Sequence, residues 1–124
     1  MKSEKLSIQL LPSVEDEPLR SAEYQAGLSE FAKKLQANGM NPSMAMHFEE
    51  SADSHSFLLG SFSLELGKVI VVPICTAAGA WLHAKYGRKV RLKIGETESE
   101  AEAQTVEEVK QLLEYAKRHK NSRE

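Results

Sequence analysis

The sequence predicts a small α+β domain with a four-stranded mixed sheet and three helices, in the order β-α-β-α-β-β-α. Several segments alternate apolar and polar residues with period two, others carry apolar residues at helical spacing, and one long uncharged segment lies between them. A length of 124 residues suits a single domain. We expect this domain to occupy residues 1–119 and a basic flexible tail to follow at 120–124.

The first half of the chain predicts a strand, a helix and a second strand. Residues 5–11 alternate apolar with polar side chains and stop before a proline, as a half-buried strand does. Ser21 can cap a helix that ends at Asn38-Gly39. Its apolar stripe consists of Tyr24, Leu28, Phe31 and Leu35. Residues 42–50 alternate again and predict the second strand.

Residues 57–86 are the most apolar part of the chain and predict one long apolar helix. This block, which includes the uncharged run VIVVPICTAAGAWL at 69–82, is too long for one strand, and the alanines after Pro73 favour a helix. Pro73 either begins the main helix or kinks a longer one, and Gly87 ends it. Because this helix is apolar on most sides, we expect it to be the central helix or to lie between the sheet and a partner chain.

The C-terminal third predicts a β-hairpin followed by a helix. Residues 88–94 alternate basic with apolar side chains, and residues 97–104 alternate acidic with small ones. Gly95-Glu96 between them is typical of a two-residue type II′ turn. This turn would set Lys93 opposite Glu98, Arg91 opposite Glu100 and Lys89 opposite Glu102. Thr-Val-Glu-Glu at 105–108 is a capping box for a last helix that ends near residue 119.

The composition indicates a soluble protein and offers no catalytic signature. A net charge of −2 argues against a dedicated nucleic-acid or membrane-surface protein, since these are usually strongly basic. A chain whose single cysteine is Cys75 cannot form an internal disulfide, so a reducing, cytoplasmic location is expected. On a helix Cys75 and His83 would lie about 12 Å apart, too far for a thiolate–imidazole pair. No cofactor and no metal site is predicted.

Features of the C-terminal half follow one another in an order known from other proteins. A small-residue-rich apolar helix with an internal proline ends in Trp81-Leu82, and Lys85-Tyr86-Gly87-Arg88 follows. A basic and apolar strand at 90–94, a glycine turn, an acidic strand and a Val-Glu-Glu-Val helix from residue 106 complete the pattern. The pattern resembles the bacterial effector-associated constant component family, and the likeness covers about residues 6–119.

The resemblance implies a non-catalytic adaptor or regulatory component of a bacterial antiviral or biological-conflict effector system. Such proteins accompany caspase-like or trypsin-like peptidase effectors in NTPase-driven loci, so a protein partner of these kinds is expected. The family has no defined active site to carry over. The family has more arginine near the Trp-Leu pair than His83 and Lys85 provide here, so if those arginines contact a partner, this chain would bind it differently. The candidate partner-binding residues are Val69, Val72, Trp81, Lys85 and Arg88. Of these, Trp81 is either a core residue or an interface anchor, since tryptophan is enriched in binding hot spots.

Three further expectations concern partners. A homo-oligomer is expected to form through the apolar residues 57–82, because a domain this small can hardly cover them. The basic strand at 88–93 is the alternative, a nucleic-acid-binding surface, but its acidic neighbours and a 6% aromatic content disfavour it. Membrane association through residues 69–82 is also disfavoured, because a spanning helix needs roughly 20 residues.

Overall fold

The computed structural model describes residues 5–48, 56–95 and 100–122. Within these ranges five strands form one antiparallel sheet, and three helices pack on it. The elements in chain order are β1 (Lys5–Leu11), α1 (Ala22–Ala37), β2 (Ser43–Phe48), β3 (Ser56–Glu65), α2 (Val71–Ala84), β4 (Lys89–Ile94), β5 (Glu100–Ala103) and α3 (Val106–Ser122). A short 3-10 turn at Leu66–Lys68 joins β3 to α2. The helix α3 therefore continues beyond its predicted end at residue 119.

The strand order interleaves two βαβ units. The sheet runs β2-β3-β1-β4-β5, and each strand is antiparallel to its neighbours. β1 and β2 therefore point the same way with β3 between them, and β3 and β4 point the same way with β1 between them. This is the split βαβ arrangement of ferredoxin-like folds. β5 and α3 extend it beyond β4.

The helices cover one face of the sheet and leave the other face open. Every residue of the predicted α1 stripe is buried, which confirms that prediction. α2 lies between α1 and α3, so it is the middle helix of the layer. The sheet contributes to the core Leu6, Ile8, Leu10, Phe62, Leu64, Val90, Leu92 and Ala103.

The helix ends follow the local signals in the sequence. Ser21 Oγ accepts a hydrogen bond from the Tyr24 N–H at 3.1 Å, and α1 ends at Asn38. Gly39 continues the chain at a φ of +83°, where an L side chain would be strained. Thr105 Oγ1 accepts from the Glu108 N–H at 3.2 Å, as the capping box predicts.

The prediction of a four-stranded mixed sheet with one long apolar helix is wrong. The residues expected to begin that helix form β3, inside an entirely antiparallel sheet, and α2 covers only Val71–Ala84. Two features of β3 make it hard to recognise as a strand from the sequence. Apolar Phe57 and Leu59 lie on the open face, where polar residues were expected, and Gly60 bulges at a φ of +88°. No helix in the described ranges is long and apolar enough to span a membrane.

β4 and β5 form the predicted hairpin, but its register differs from the predicted one by two residues. Arg91 lies opposite Glu102 and Lys93 opposite Glu100. The expected partner of Lys93, Glu98, lies outside the described residues. Of the predicted two-residue turn, Gly95 is described and Glu96 lies outside the described residues. A shift of two preserves the opposition of basic to acidic residues, so the charge pattern could not distinguish the two registers.

Candidate functional site

Two connections meet at one end of the sheet, and we call them together the loop pair. One connection, residues 12–21, joins β1 to α1, and the other, residues 85–88, joins α2 to β4. They start from adjacent strand ends, because Leu11 lies opposite Lys89. A Cβ placed on Gly87 would lie 3.0 Å from the Cβ of Ser13, so the two connections touch closely. Gly87 also has a φ of +94°, so a side chain there would be strained.

A buried ion pair fastens the two connections together. Arg88 donates to Asp16 from Nη2 at 2.6 Å and from Nε at 3.0 Å, in a two-pronged contact. The two side chains are 7% and 3% exposed. Asp16 also accepts from the Ser13 N–H at 2.8 Å. The hydrogen bonds from Arg88, despite burial, hold the pKa of Asp16 below its usual value, so the carboxylate is ionised at neutral pH.

Two aromatic rings form the floor beneath the ion pair. The Arg88 guanidinium carbon lies 3.7 Å from the Trp81 ring centre, and Arg88 Nη1 donates to the Trp81 carbonyl at 3.2 Å. Tyr24 meets Trp81 edge to face with 5.4 Å between the ring centres. Burial raises the pKa of Tyr24 to about 12, so its hydroxyl stays neutral. Trp81 Nε1 is buried without a hydrogen-bond partner in the described structure, so packing and Arg88 position the ring.

Two large apolar side chains stand in solvent at the tips of the loop pair. Val14 is fully exposed and Tyr86 is 92% exposed. Between these tips Lys85 Nζ donates to the Glu15 carbonyl at 3.3 Å, a second link across the two connections. Neither tip side chain contributes to the core, and tyrosine is among the residues enriched in binding hot spots. The site therefore presents two exposed apolar side chains on connections that are held together.

The structure brings together only part of the predicted partner-binding set. Trp81, Lys85 and Arg88 lie in or under the loop pair, but Trp81 and Arg88 are buried and shape the surface from beneath. Val69 and Val72 lie at the opposite end of α2; the first is 2% exposed and in the core, the second 73% exposed. The five residues therefore form no single surface, and their part in binding stays a prediction.

Sequence reasoning did not single out Val14, Asp16 or Tyr86. An apolar residue in an otherwise acidic loop and a tyrosine directly after a helix were the available signals for Val14 and Tyr86. Asp16 had no such signal, because its partner lies far away in the chain. The topology, which places the two connections side by side, reveals the ion pair.

The segment expected to self-associate is largely internal. Its exposed large apolar residues are Leu59, Ile70 and Val72, at 41%, 45% and 73%. Leu59 lies on the open face of the sheet, whereas Ile70 and Val72 lie at the start of α2 in the helical layer. These side chains do not make one patch. Self-association through residues 57–82 stays a prediction without a continuous surface to support it.

The basic strand, offered as a nucleic-acid surface, is largely neutralised. Arg91 contacts Glu102 at 2.8 Å and Glu100 at 3.2 Å, and Lys89 lies 3.7 Å from Glu102. The hydrogen bond from Arg91 lowers the pKa of Glu102. Arg88 points into the loop pair instead of solvent. The middle of the open face carries Ser7, Gln9, Ser61 and Ser63. A four-stranded sheet that binds RNA through its open face carries aromatic residues there, on which the bases stack.

The described residues offer little for metal or thiol chemistry. Among them, no group of three or more His, Cys, Asp or Glu side chains could hold a metal ion. The single cysteine, Cys75, is 9% exposed. Burial raises the pKa of its thiol, which disfavours the thiolate needed for nucleophilic attack.

No family model matches the chain, and neither the curated proteins nor the solved structures compared with it gave a match. The family resemblance found in the sequence therefore stays a prediction. The candidate site is defined by its geometry: two fastened connections, a buried ion pair on an aromatic floor, and two apolar tips.

Proposed function

We propose that the chain is a non-catalytic adaptor or regulatory component that recognises a protein partner through the loop pair. One observation carries this proposal: Val14 and Tyr86 stand in solvent on connections that the buried Asp16–Arg88 pair joins. Binding residues are often found on loops that a rigid scaffold positions. Loops that are already ordered lose less conformational entropy on binding, so more of the contact energy appears as affinity.

The chemistry around the tips favours a particular kind of partner surface. Tyr86 and Val14 would enter an apolar pocket, and the exposed Glu15 and Glu17 beside Val14 would face basic side chains at its rim. The family resemblance supports a caspase-like or trypsin-like effector, or an NTPase, of a bacterial conflict system as the owner of that pocket. A cytoplasmic location belongs to the same proposal.

Co-purification with the products of neighbouring genes tests this proposal. The wild-type chain and the double variant Val14→Ser, Tyr86→Ser are each co-expressed with these products, and binding to any retained partner is then measured. We expect the double variant to bind roughly 30-fold more weakly or worse, as for a tyrosine hot spot. Its melting temperature should stay that of the wild type, because both side chains lie in solvent.

The matched control is Tyr115→Ser, which removes a 55%-exposed tyrosine from α3, away from the loop pair. It should bind like the wild type. The proposal fails if none of these products is retained, if the double variant binds as tightly as the wild type, or if Tyr115→Ser weakens binding equally.

A further inference from the structure

The two edges of the described sheet differ in charge. β2 forms one edge with the sequence SMAMHF, which contains no Lys, Arg, Asp or Glu. β5 forms the other edge with only four residues, two of them the exposed Glu100 and Glu102. Charged side chains and short length commonly protect an edge strand from pairing with another chain. β5 has both protections, whereas β2 lacks the charges.

The unpaired hydrogen-bonding groups of β2 can be located from its neighbour. Leu58 lies opposite Met46. The Leu58 N–H donates to Gln25 Oε1 at 2.8 Å, and the Leu58 carbonyl accepts from Gln25 Nε2 at 2.9 Å, both on the side away from β2. Opposite residues of antiparallel strands either exchange both hydrogen bonds or neither. The N–H and C=O of Met46 therefore point outward from the sheet, as do those of Phe48 by alternation. The register shifts between Met44 and Met46, so Met44 is located separately. The Gly95 N–H donates to the Lys5 carbonyl, so alternation along β1 makes Ile8 bond to Phe62, and Met44, which lies opposite Phe62, also points outward.

The same strand is incompletely covered on its core face. Met44 packs against the core and is partly buried, and Met46 is 37% exposed. α1 packs on β3, and α2 and α3 pack on β4. α3 also packs on β5. The cover over β2 therefore decreases from Met44 to Met46 along the strand.

We propose that β2 pairs antiparallel with β2 of a second copy, about a two-fold axis at Met46, and joins the two sheets into one. This register sets Met46 opposite Met46 and Met44 opposite Phe48, so the residues at these three positions are apolar in both copies. All three outward-pointing residues then exchange backbone bonds. A register centred on Ala45 would set Phe48 opposite Pro42, which has no N–H to donate. The self-complementary strand favours a second copy over an unrelated peptide.

Mass measurement by light scattering, at increasing protein concentration, tests the pairing. The wild type should reach twice its chain mass of 13.8 kDa. Met46→Lys should stay at 13.8 kDa, because pairing would remove water from the charged lysine side chain where the two strands meet. Leu59→Lys is the matched control. It adds the same charge at 41% exposure to the neighbouring strand, on the opposite face, and should remain a dimer. A wild type that stays monomeric, a dimeric Met46→Lys variant or a monomeric Leu59→Lys variant overturns the proposal.

A symmetric cross-link tests the register and does not depend on the lysine variant folding. Residues of a hydrogen-bonded antiparallel pair have Cα atoms about 5.5 Å apart, within the range of a disulfide. Met46→Cys should therefore form a disulfide-linked dimer under mild oxidation, several-fold faster than Leu59→Cys. Cys75 is buried and common to both proteins. Equal rates for the two variants would contradict a two-fold axis at Met46.

Discussion

Asp16 and Arg88, 72 positions apart in the chain, form hydrogen bonds as short as 2.6 Å inside the loop pair. Their side chains are almost completely buried, and Arg88 also lies against the Trp81 ring. Removing one member of such a pair leaves an uncompensated charge in a poorly solvated place, which is more costly than the net gain from forming the pair. Loss of either member is therefore expected to lower stability and to loosen the contact between the two connections.

Replacing Asp16 should destabilise the protein strongly. Asp16→Asn keeps the size of the side chain but leaves the Arg88 charge unpaired, and we expect a loss of about 3 kcal/mol in the free energy of unfolding, measured in urea. Glu15→Gln, the same chemical change at the exposed neighbour, should alter stability by less than about 0.5 kcal/mol. Equal effects of the two substitutions would show that the pair is not buried in solution.

The stabilisation from Asp16 should disappear in acid. The pKa of Asp16 in the folded protein lies below the unfolded value of 3.8, because Arg88 favours the carboxylate. Its contribution is therefore complete above pH 3.8 and is lost as the pH falls through the folded pKa. The unfolding free energies of the wild type and Asp16→Asn should converge once the pH is below the pKa of Asp16 in the folded protein. A difference that stays constant from pH 7 to the acid limit would contradict the assignment.

Gln25 should be required to complete the sheet beside α1. Its side-chain amide bonds both the N–H and the C=O of Leu58, which no strand pairs on that side. Gln25→Ala leaves both groups without this partner, at a cost of about 1–3 kcal/mol, and Gln36→Ala on the exposed part of the same helix is the control. Hydrogen exchange reports the effect locally: protection of the Leu58 amide should fall in Gln25→Ala alone. Unchanged protection would refute this role.

Gly79→Ala should bring no gain in stability, although alanine is the better helix former. A Cβ at residue 79 would lie 2.9 Å from Val106 Cγ2, where α2 and α3 touch. In the wild type we expect overpacking to cancel or exceed the gain of about 1 kcal/mol in helix propensity. In a Val106→Ala background that atom is gone, so Gly79→Ala should stabilise the protein by about that amount. The same stability change in both backgrounds would exclude the contact.

The parts of the fold that could be predicted from sequence are those set by neighbouring residues. The apolar spacing of α1, its Ser21 cap and the capping box at Thr105 are local signals, and the structure contains all three. β3 could not be predicted, because Leu59 on the open face and the bulge at Gly60 break the period-two pattern. The hairpin register failed for a different reason, since charge alternation is unchanged by a shift of two.

In the candidate site, too, only the residues with a local sequence signal could be predicted. Lys85 and Arg88 were predicted because they stand in a distinctive basic stretch after the apolar helix. Asp16 was not, since only the strand order brings its loop beside Arg88. The exposure of Val14 and Tyr86 is likewise a property of where the two connections end, which local periodicity does not encode.

Backbone order in the free protein tests the central claim, that the ion pair holds the loop pair ready for a partner. Amide relaxation measured by NMR should give order parameters near 0.85 for residues 13–16 and 85–88 in the wild type, as in rigid backbone. The same residues in Asp16→Asn should become mobile while the β-strand core stays ordered. Wild-type values below about 0.6 in both connections, or identical values in the two proteins, would contradict the claim.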